Sequence, residues 1–435
     1  MGGFDKKTIR DINVKGKRVL LRADYNVPLV GGKVAEDYRI RASLPTIQYL
    51  LEHGCKGLVI ISHLGRPKGQ RDSSLSLKPV AEHLQKLLGQ PVGFTSDCIG
   101  EAAEVAAAAL KAGDILLLEN LRFHPGEEAN DLDFAKQLVQ TSAAEIFVQD
   151  GFGVVHRAHA STSTIPKLLP SVAGLLLEKE VSTITDFMKN PKRPLTAVIA
   201  GAKVSDKIEL IERFIELADC VAIGGAMANN FLAAGGYHLG KSIVETGLVA
   251  KTKGIIKLAR AAERQRAFNF LVPTDVVVST AVDGVHPTRV VDFGAHLADI
   301  EAYPKLPRPS SYEVAADEMI LDLGPTSAAR IAGAVQMSRS VIWNGTLGVT
   351  ETKPIATTAA PFSHGTEVVV TAMIGPSRQH KNKPISFAGG GDTVSYIEQN
   401  KLLDDFDFVS TGGGATLELM AGHKLPGVEA LQDKH

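Results

Sequence analysis

The chain is poor in cysteine and in net charge, and each shortage excludes something. Only Cys55, Cys98 and Cys220 stand in 435 residues. They are odd in number and widely spaced, without the pairing of a zinc site or a disulfide framework, so they read as buried, reduced thiols. Lys plus Arg total 47 against 48 Asp plus Glu. That balance argues against a nucleic-acid surface and against a polybasic membrane anchor. No run reaches the roughly 18 apolar residues needed to span a bilayer. The opening "MGGFDKKTIRDINVKGKRVLL" lacks the apolar core of a secretory leader. A cytoplasmic chain with no membrane contact is the expectation. With 44% hydrophobic and 22% charged residues, the composition is that of a globular protein too long for one ordinary core, and two domains are expected.

What the sequence has in quantity is a repeated design. "RVLLRADYNVP", "GLVIISHLGRPKG", "DILLLENLRFHPGEE" and "EIFVQDGFGVVHRAHAST" each run from a short apolar strand into a polar loop. Amphipathic stretches such as "IRASLPTIQYLLEHG" lie between them. Strands alternating with helices imply a parallel sheet covered on both faces. The second half repeats the grammar with glycine-rich loops, in "LTAVIAGAKVSDKIELIERF", "CVAIGGAMANNFLAAGG", "SVIWNGTLGVTE", "PISFAGGGDTVSYIEQ" and "DFVSTGGGATLELM". Residues 173–190 read as an interdomain helix, with Leu177, Val181 and Ile184 on one face and Pro191 beyond its end. The Pro-rich stretch around residues 284–312 reads as an irregular surface excursion.

"GGYHLGKS", residues 235–242, fits the phosphate-loop pattern letter for letter. Its context does not fit. The nearest strand, Cys220–Ile223, is followed by a helical stretch, and Gly235 falls where a helix C-terminal glycine belongs. Asp275 precedes its apolar run, where a Mg²⁺-binding aspartate would follow one. The expectation is a plain connecting loop with no nucleotide role for Lys241. A dinucleotide fingerprint is also disfavoured, since His156, Val394 and Leu417 occupy the third-glycine positions of the three G-x-G triplets.

Better anion sites lie at strand ends, where open parallel sheets bind ligands. In the first half those ends carry Arg22, Asp24, Asn26, His63, Arg66, Arg122, His124, His156, Arg157 and His159, with Arg39 near the start of the first helix. Several arginines converging imply a small, multiply anionic ligand. In the second half, Gly389–Gly391 before Asp392 and Thr393, and Gly412–Gly414 before Ala415, offer backbone amides at helix starts. Lys203 and Lys207 are spaced to share one helix face beside them, as a phosphate clamp. Asp392 is a lone carboxylate suited to Mg²⁺ held mainly by substrate phosphates.

Taken together, "RVLLRADYNVP", "SHLGRPKG", "LSLKPVAEHL", "LLLENLRFHPGEE", "HRAHAS", "GAKVSDKI", "GGAMANNFL", "WNG", "GGGDT" and "STGGGATLELMAGHKLPGVEAL" resemble phosphoglycerate kinase. The resemblance runs in the family's order from about residue 8 to residue 431. It implies two Rossmann-like parallel-sheet domains joined by the helix and facing across a cleft. The domains would be an acid-binding domain over 1–172 and a nucleotide domain over 191–415, with a C-terminal segment, 416–435, returning to the first. It implies reversible phosphoryl transfer between 1,3-bisphosphoglycerate and MgADP, giving 3-phosphoglycerate and MgATP, by a monomer. The acid site carried over comprises Asp24, Tyr25, Asn26, Arg39, His63, Leu64, Gly65, Arg66, Arg122, His156 and Arg157. The nucleotide site comprises Lys203, Lys207, Gly225, Asn344, Glu351 and Gly390–Thr393, that is Gly390, Gly391, Asp392 and Thr393, with Asp392 on Mg²⁺. Arg39, Lys203, Lys207, Gly391 and Gly414 would serve the transfer itself. Thr346, Thr350, Gln149 and Gly151 depart from the family's usual Pro, Phe, Asn and Ala.

Overall fold

A computed structural model describes residues 4–293, 313–353, 360–375 and 383–434. The chain forms two compact units, residues 1–189 with 411–435, and residues 190–410.

The sheet of the first unit has six parallel strands. Their order across the sheet is Val92–Phe94, Ile115–Leu117, Gly57–Ile61, Arg18–Arg22, Ile146–Gln149 and Ser171–Ala173. The central strands are buried throughout, which is why they read as continuous apolar runs rather than alternating ones. Successive side chains point to opposite faces. Val19, Leu21, Leu58, Ile60 and Val148 enter one core, while Leu20, Val59, Ile61, Leu116 and Phe147 enter the other. Chain order reverses beside Arg18–Arg22, so the loops after it and after Ile146–Gln149 border a switch-point crevice.

In the second unit six parallel strands run Asn269–Leu271, Cys220–Ile223, Leu195–Ile199, Ser340–Asn344, Ile385–Gly389 and Phe408–Val409. In chain order this is 3-2-1-4-5-6, the arrangement of the doubly wound nucleotide-binding fold. Its switch point falls between Leu195–Ile199 and Ser340–Asn344, which are hydrogen-bonded neighbours.

Three sequence expectations change here. The helix between the halves spans Leu175–Lys189 and belongs to the first unit. Leu177 and Ile184 are buried on it as expected, but Glu180 shares the buried stripe and Val181 is half-buried. The return to the first unit begins at Thr411 rather than at 416. The chain therefore changes units inside "DFVSTGGGATLELM", between a strand and its own glycine turn. Finally, the excursion after residue 283 contains a strand, Thr288–Asp292, antiparallel to Asp275–Ser279, with Met319–Leu323 on that strand's other side. Val291 is buried and Val290 exposed, a period-2 signal too short to stand out. Residues 294–312 of that excursion lie outside the described residues.

Candidate active site

In the first unit the chain leaves Arg18–Arg22 into a turn holding Asp24, Tyr25 and Asn26. Asp24 is buried; its Oδ2 faces Arg39 Nη1 at 3.4 Å and its Oδ1 faces His63 Nδ1 at 3.9 Å. Arg39, the second residue of the helix Tyr38–Glu52, also donates to the Asn26 carbonyl at 2.8 Å. The Asn26 side chain accepts from the Gly65 amide at 2.9 Å, and Arg122 Nη1 donates to the Gly65 carbonyl at 2.8 Å. Leu64 is buried and its carbonyl accepts from Asn120 at 2.7 Å, so it serves the loop through its backbone. Arg66 is exposed one residue further on, and Arg157 is half-buried with Nε donating to His156 at 3.1 Å.

Electrostatics shows that these groups converge. His63 is held well below the usual imidazole range by burial, and then by Arg22, Arg122 and Arg39. His156 is pushed down to about 4 by burial and by Arg157. His159 is pushed to about 4 by burial, Arg122 and Arg22. All three imidazoles are therefore neutral near pH 7, leaving the guanidiniums to carry the positive charge. The glycine run Gly412–Gly414 joins this cluster. A Cβ on Gly414 would lie 3.0 Å from His156 Nε2, and one on Gly413 would lie 3.9 Å from Arg39 Nη2. The helix Gly414–Ala421 thus begins beside the arginines in the first unit, whereas the sequence had placed its start in the second.

Two residues of the sequence-derived set sit inside instead. Arg22, at the strand end, is fully buried, with Nε on Ser161 Oγ at 2.8 Å and Nη2 against His63 at 3.2 Å. The Tyr25 side chain is also fully buried, its hydroxyl 3.0 Å from Ser43 Oγ. Both hold the turn rather than line the mouth.

In the second unit the groups gather at the switch point. Lys207 Nζ donates to the Ala200 carbonyl and sits 3.5 Å from the Asn344 carbonyl, so it bridges the ends of the two strands. Burial pushes its ammonium down to about 8, against the opposing pull of Asp392 and Asp206. Lys203 is exposed. The two lysines do not share a helix face: a single 3₁₀ turn covers Ser205–Lys207 and the α-helix starts at Ile208. Glu245, which no local motif marks, accepts from the Val204 and Ser205 amides at 2.7 and 3.0 Å and fixes that turn.

Asn344 donates to the Gly389 carbonyl at 2.7 Å, and Thr393 Oγ1 accepts from the Gly345 amide at 2.7 Å. These bonds tie neighbouring strand ends together around the start of the helix Gly391–Gln399. Gly390 precedes it at φ +108, and a Cβ there would stand 2.9 Å from Asn344 Nδ2. Gly225 has φ +64, and a Cβ would meet the Gly201 amide nitrogen at 2.5 Å. Only glycine allows both close approaches. Gly391 and Asp392 are exposed.

A cavity of about 160 Å³ opens here, lined by Gly201, Gly225, Leu347, Glu351 and Asp392 among others. Asp322 also lines it, accepting from the Leu323 and Gly365 amides at 2.8 and 3.0 Å, with burial pushing its carboxyl up to about 7. Nothing in the spacing of "ILDLGP" announces this buried acid. Among the described residues, three metal-capable side chains come together only at Asp97, Cys98 and His124 in the first unit. There Asp97 is bonded to His124 at 2.7 Å and faces Arg71 at 3.7 Å, while burial holds the Cys98 thiol well above its usual value. Asp392 has no such cage around it. A lone exposed carboxylate suits Mg²⁺, which keeps waters and binds chiefly through phosphates.

The loop "GGYHLGKS" does not line this cavity. Gly235 caps the helix Ala228–Ala234, Gly236 takes the left-handed turn at φ +82, and the Lys241 amide donates to the Glu318 carbonyl. Asp275 is buried, accepting from the Thr326 and Ser327 amides. Cys55, Cys98 and Cys220 are free and buried. No helix among the described residues is long and apolar enough to cross a membrane.

Similarity to known proteins covers both units. A family model described as phosphoglycerate kinase matches residues 9–423. The phosphoglycerate kinase of Moorella thermoacetica is 44% identical over 429 residues, covering 99% of this chain and 100% of its own. That of Chloroflexus aurantiacus is 44% identical over 433 residues, with the same coverage. The solved phosphoglycerate kinase of Coxiella burnetii matches with TM-score 0.74 at 33% identity, and that of Pyrococcus horikoshii with 0.77 at 30%. Each structure covers 98% of both chains. Two doubly wound sheets, an arginine cluster on one and a glycine-lined cavity on the other, and matches of this extent lead to one assignment: the chain belongs to the phosphoglycerate kinase family and is a phosphotransferase.

Proposed function

We propose that the chain transfers a phosphoryl group between 1,3-bisphosphoglycerate and MgADP, with the acid held by the first unit and the nucleotide by the second. The observation that carries this division is that each sheet presents a different chemistry at its switch point. One offers guanidiniums around neutral imidazoles; the other offers a mainly apolar cavity that reaches Asp392 in the first turn of the helix Gly391–Gln399, with Lys207 held at the neighbouring strand ends. Arg39, Arg66, Arg122 and Arg157 suit the phosphate and carboxylate of 3-phosphoglycerate, with His63, His156 and Asn26 lending polar contacts. Glu351 suits the ribose hydroxyls.

In the direction that consumes ATP, a carboxylate oxygen of 3-phosphoglycerate attacks the γ-phosphorus. The bond to the bridging oxygen breaks, and ADP leaves with the electron pair. The attacking carboxylate is already ionised at pH 7, so no general base is needed. What remains is to align two anions and meet the charge on the phosphoryl in flight. Arg39 and the Gly414 amide on one side, and Lys203, Lys207 and the Gly391 amide on the other, are the groups for this task. Mg²⁺ held at Asp392 would supply charge neutralisation on the nucleotide phosphates. A monomer working in the cytoplasm completes the reading.

The test is ATP formation by the purified chain from 1,3-bisphosphoglycerate and MgADP. Turnover that needs both substrates and Mg²⁺ supports the reading; a protein that binds both substrates without turnover overturns it.

A further inference from the structure

The cavity of the second unit is walled mainly by apolar groups, including Ala226, Ile243, Pro273, Val276, Leu347 and Val349. Ile243 is 63% exposed, an aliphatic side chain left uncovered on that wall. A flat aromatic ring is the natural occupant of such a slot, and on the reading above it is the nucleobase. An apolar slot alone does not tell one base from another. Discrimination requires a polar group with unspent hydrogen-bonding capacity.

Few polar side chains line the cavity. Asp322 already takes two backbone amides, while Glu351 and Asp392 are exposed to water. Thr346 offers a hydroxyl that donates as readily as it accepts, and so selects neither partner. Asn229 differs. It is 1% exposed, and its Nδ2 donates to the Ile243 carbonyl at 3.0 Å. That bond fixes which way the amide faces, because the flipped amide would set two acceptors against each other. Its Oδ1 is then a buried acceptor with no partner among the described residues. A buried acceptor of this kind is costly to leave unmade, and a ligand that supplies the donor recovers the cost. In the helix "ANNFLAA" both asparagines face inward. Asn230 is spent on the Glu245 backbone through bonds of 2.9 and 3.1 Å.

We infer that Asn229 reads the edge of the nucleobase: its Oδ1 accepts a hydrogen bond from the amino group of a 6-aminopurine, and so favours adenine nucleotides over 6-oxopurines. A 6-oxo group would set a second acceptor against Oδ1, while a purine bearing only hydrogen at that carbon would leave it unpaired. The inference rests on the cavity being the base site, and the experiment separates the two.

The native chain is assayed with 3-phosphoglycerate and three Mg²⁺-nucleotides: ATP, inosine triphosphate and purine riboside triphosphate. KM should rise about five- to tenfold from ATP to the 6-hydrogen analogue, the worth of one hydrogen bond, and further for the 6-oxo analogue, with kcat changing less than about twofold. Asn229→Leu should bring ATP and the 6-hydrogen analogue to the same KM. Equal KM values for these two on the native chain, or a ratio that survives in Asn229→Leu, overturn the inference. Should Asn229→Leu fail to fold, the analogue series on the native chain decides alone. Ala226→Leu narrows the cavity and should weaken all three nucleotides alike. If it leaves all three unchanged, the cavity is not the base site and both readings fall. If it weakens all three while Asn229→Leu keeps the ratio, only the role of Asn229 falls.

Discussion

Arg39 and Arg122 show how one residue type serves two tasks. Arg122 is buried, paired with Glu128 at 3.1 Å and tied to the Gly65 carbonyl, so its guanidinium is fixed before any ligand arrives. Arg39 is half-buried at a helix start, held by Asn26 and Asp24, with the Gly412–Gly414 turn beside it. Arg122→Ala should weaken 3-phosphoglycerate binding by about 1.5–3 kcal/mol, as for a charge-assisted hydrogen bond, and spare ADP. Calorimetry with each ligand decides it, and an equal loss of both would break the division of substrates between units. Arg39→Ala should lower kcat on the order of 10²–10³ while both substrates bind within about tenfold. Arg39→Lys should restore only a minor part, because an ammonium cannot span the phosphoryl oxygens as a planar fork does. A raised KM with kcat intact would make Arg39 a substrate anchor instead.

At the scale of elements, the helix Leu175–Lys189 is held at its start by a buried acid. Asp150 Oδ1 accepts from the Leu176 and Leu177 amides at 2.9 and 3.2 Å, and Oδ2 has no hydrogen-bond partner among the described residues. Burial pushes this carboxyl from 3.8 up to about 7. A folded value above the unfolded one means that the folded state resists ionisation. The penalty is absent below pH 3.8, grows as pH rises towards 7, and is constant above. Asparagine keeps the accepting oxygen without the charge. Asp150→Asn should therefore gain about 2–3 kcal/mol of stability relative to the native chain between pH 5 and pH 8. Urea unfolding of both proteins at the two pH values measures it, and the difference between them cancels the titration of the histidines. A difference that does not change with pH would mean that Asp150 is already ionised in the fold. The loop "GGYHLGKS" gives the opposite kind of prediction. The Lys241 side chain is exposed, and the backbone at that residue is what bonds to Glu318. Lys241→Ala should leave MgATP affinity within about threefold. Loss of nucleotide binding would restore the phosphate-loop reading that the local fold opposes.

At the scale of the whole molecule, the groups proposed for the two substrates are carried by different units. Transfer then requires the two substrates to be brought within reach and water to be excluded. Small-angle scattering should show a smaller radius of gyration with 3-phosphoglycerate and MgATP together than with neither. An unchanged radius at proven saturation would count against closure as part of the cycle.

The sequence by itself determined the two parallel-sheet halves, the strand-end arginines, the glycine turns and the connecting loop at residues 235–242, because each is written in local order. A buried strand is a contiguous apolar run, and a turn that must approach a phosphate needs its glycines side by side. Other features are not written locally. Arg22 and Arg122 both close a strand or its loop, yet one is packed against Ser161 and His63 and the other reaches the Gly65 loop; only those neighbours separate them. Lys203 and Lys207 have helical spacing, but the turn fixed by Glu245, some 40 residues away, puts them on different elements. Gly412–Gly414 follow a strand of one unit and pack in the other. The buried charges and amides at Asp150, Glu180, Asp322 and Asn229 carry no motif at all. Such a polar group is stable inside only where distant backbone supplies its partners, and tertiary packing alone decides which partners arrive.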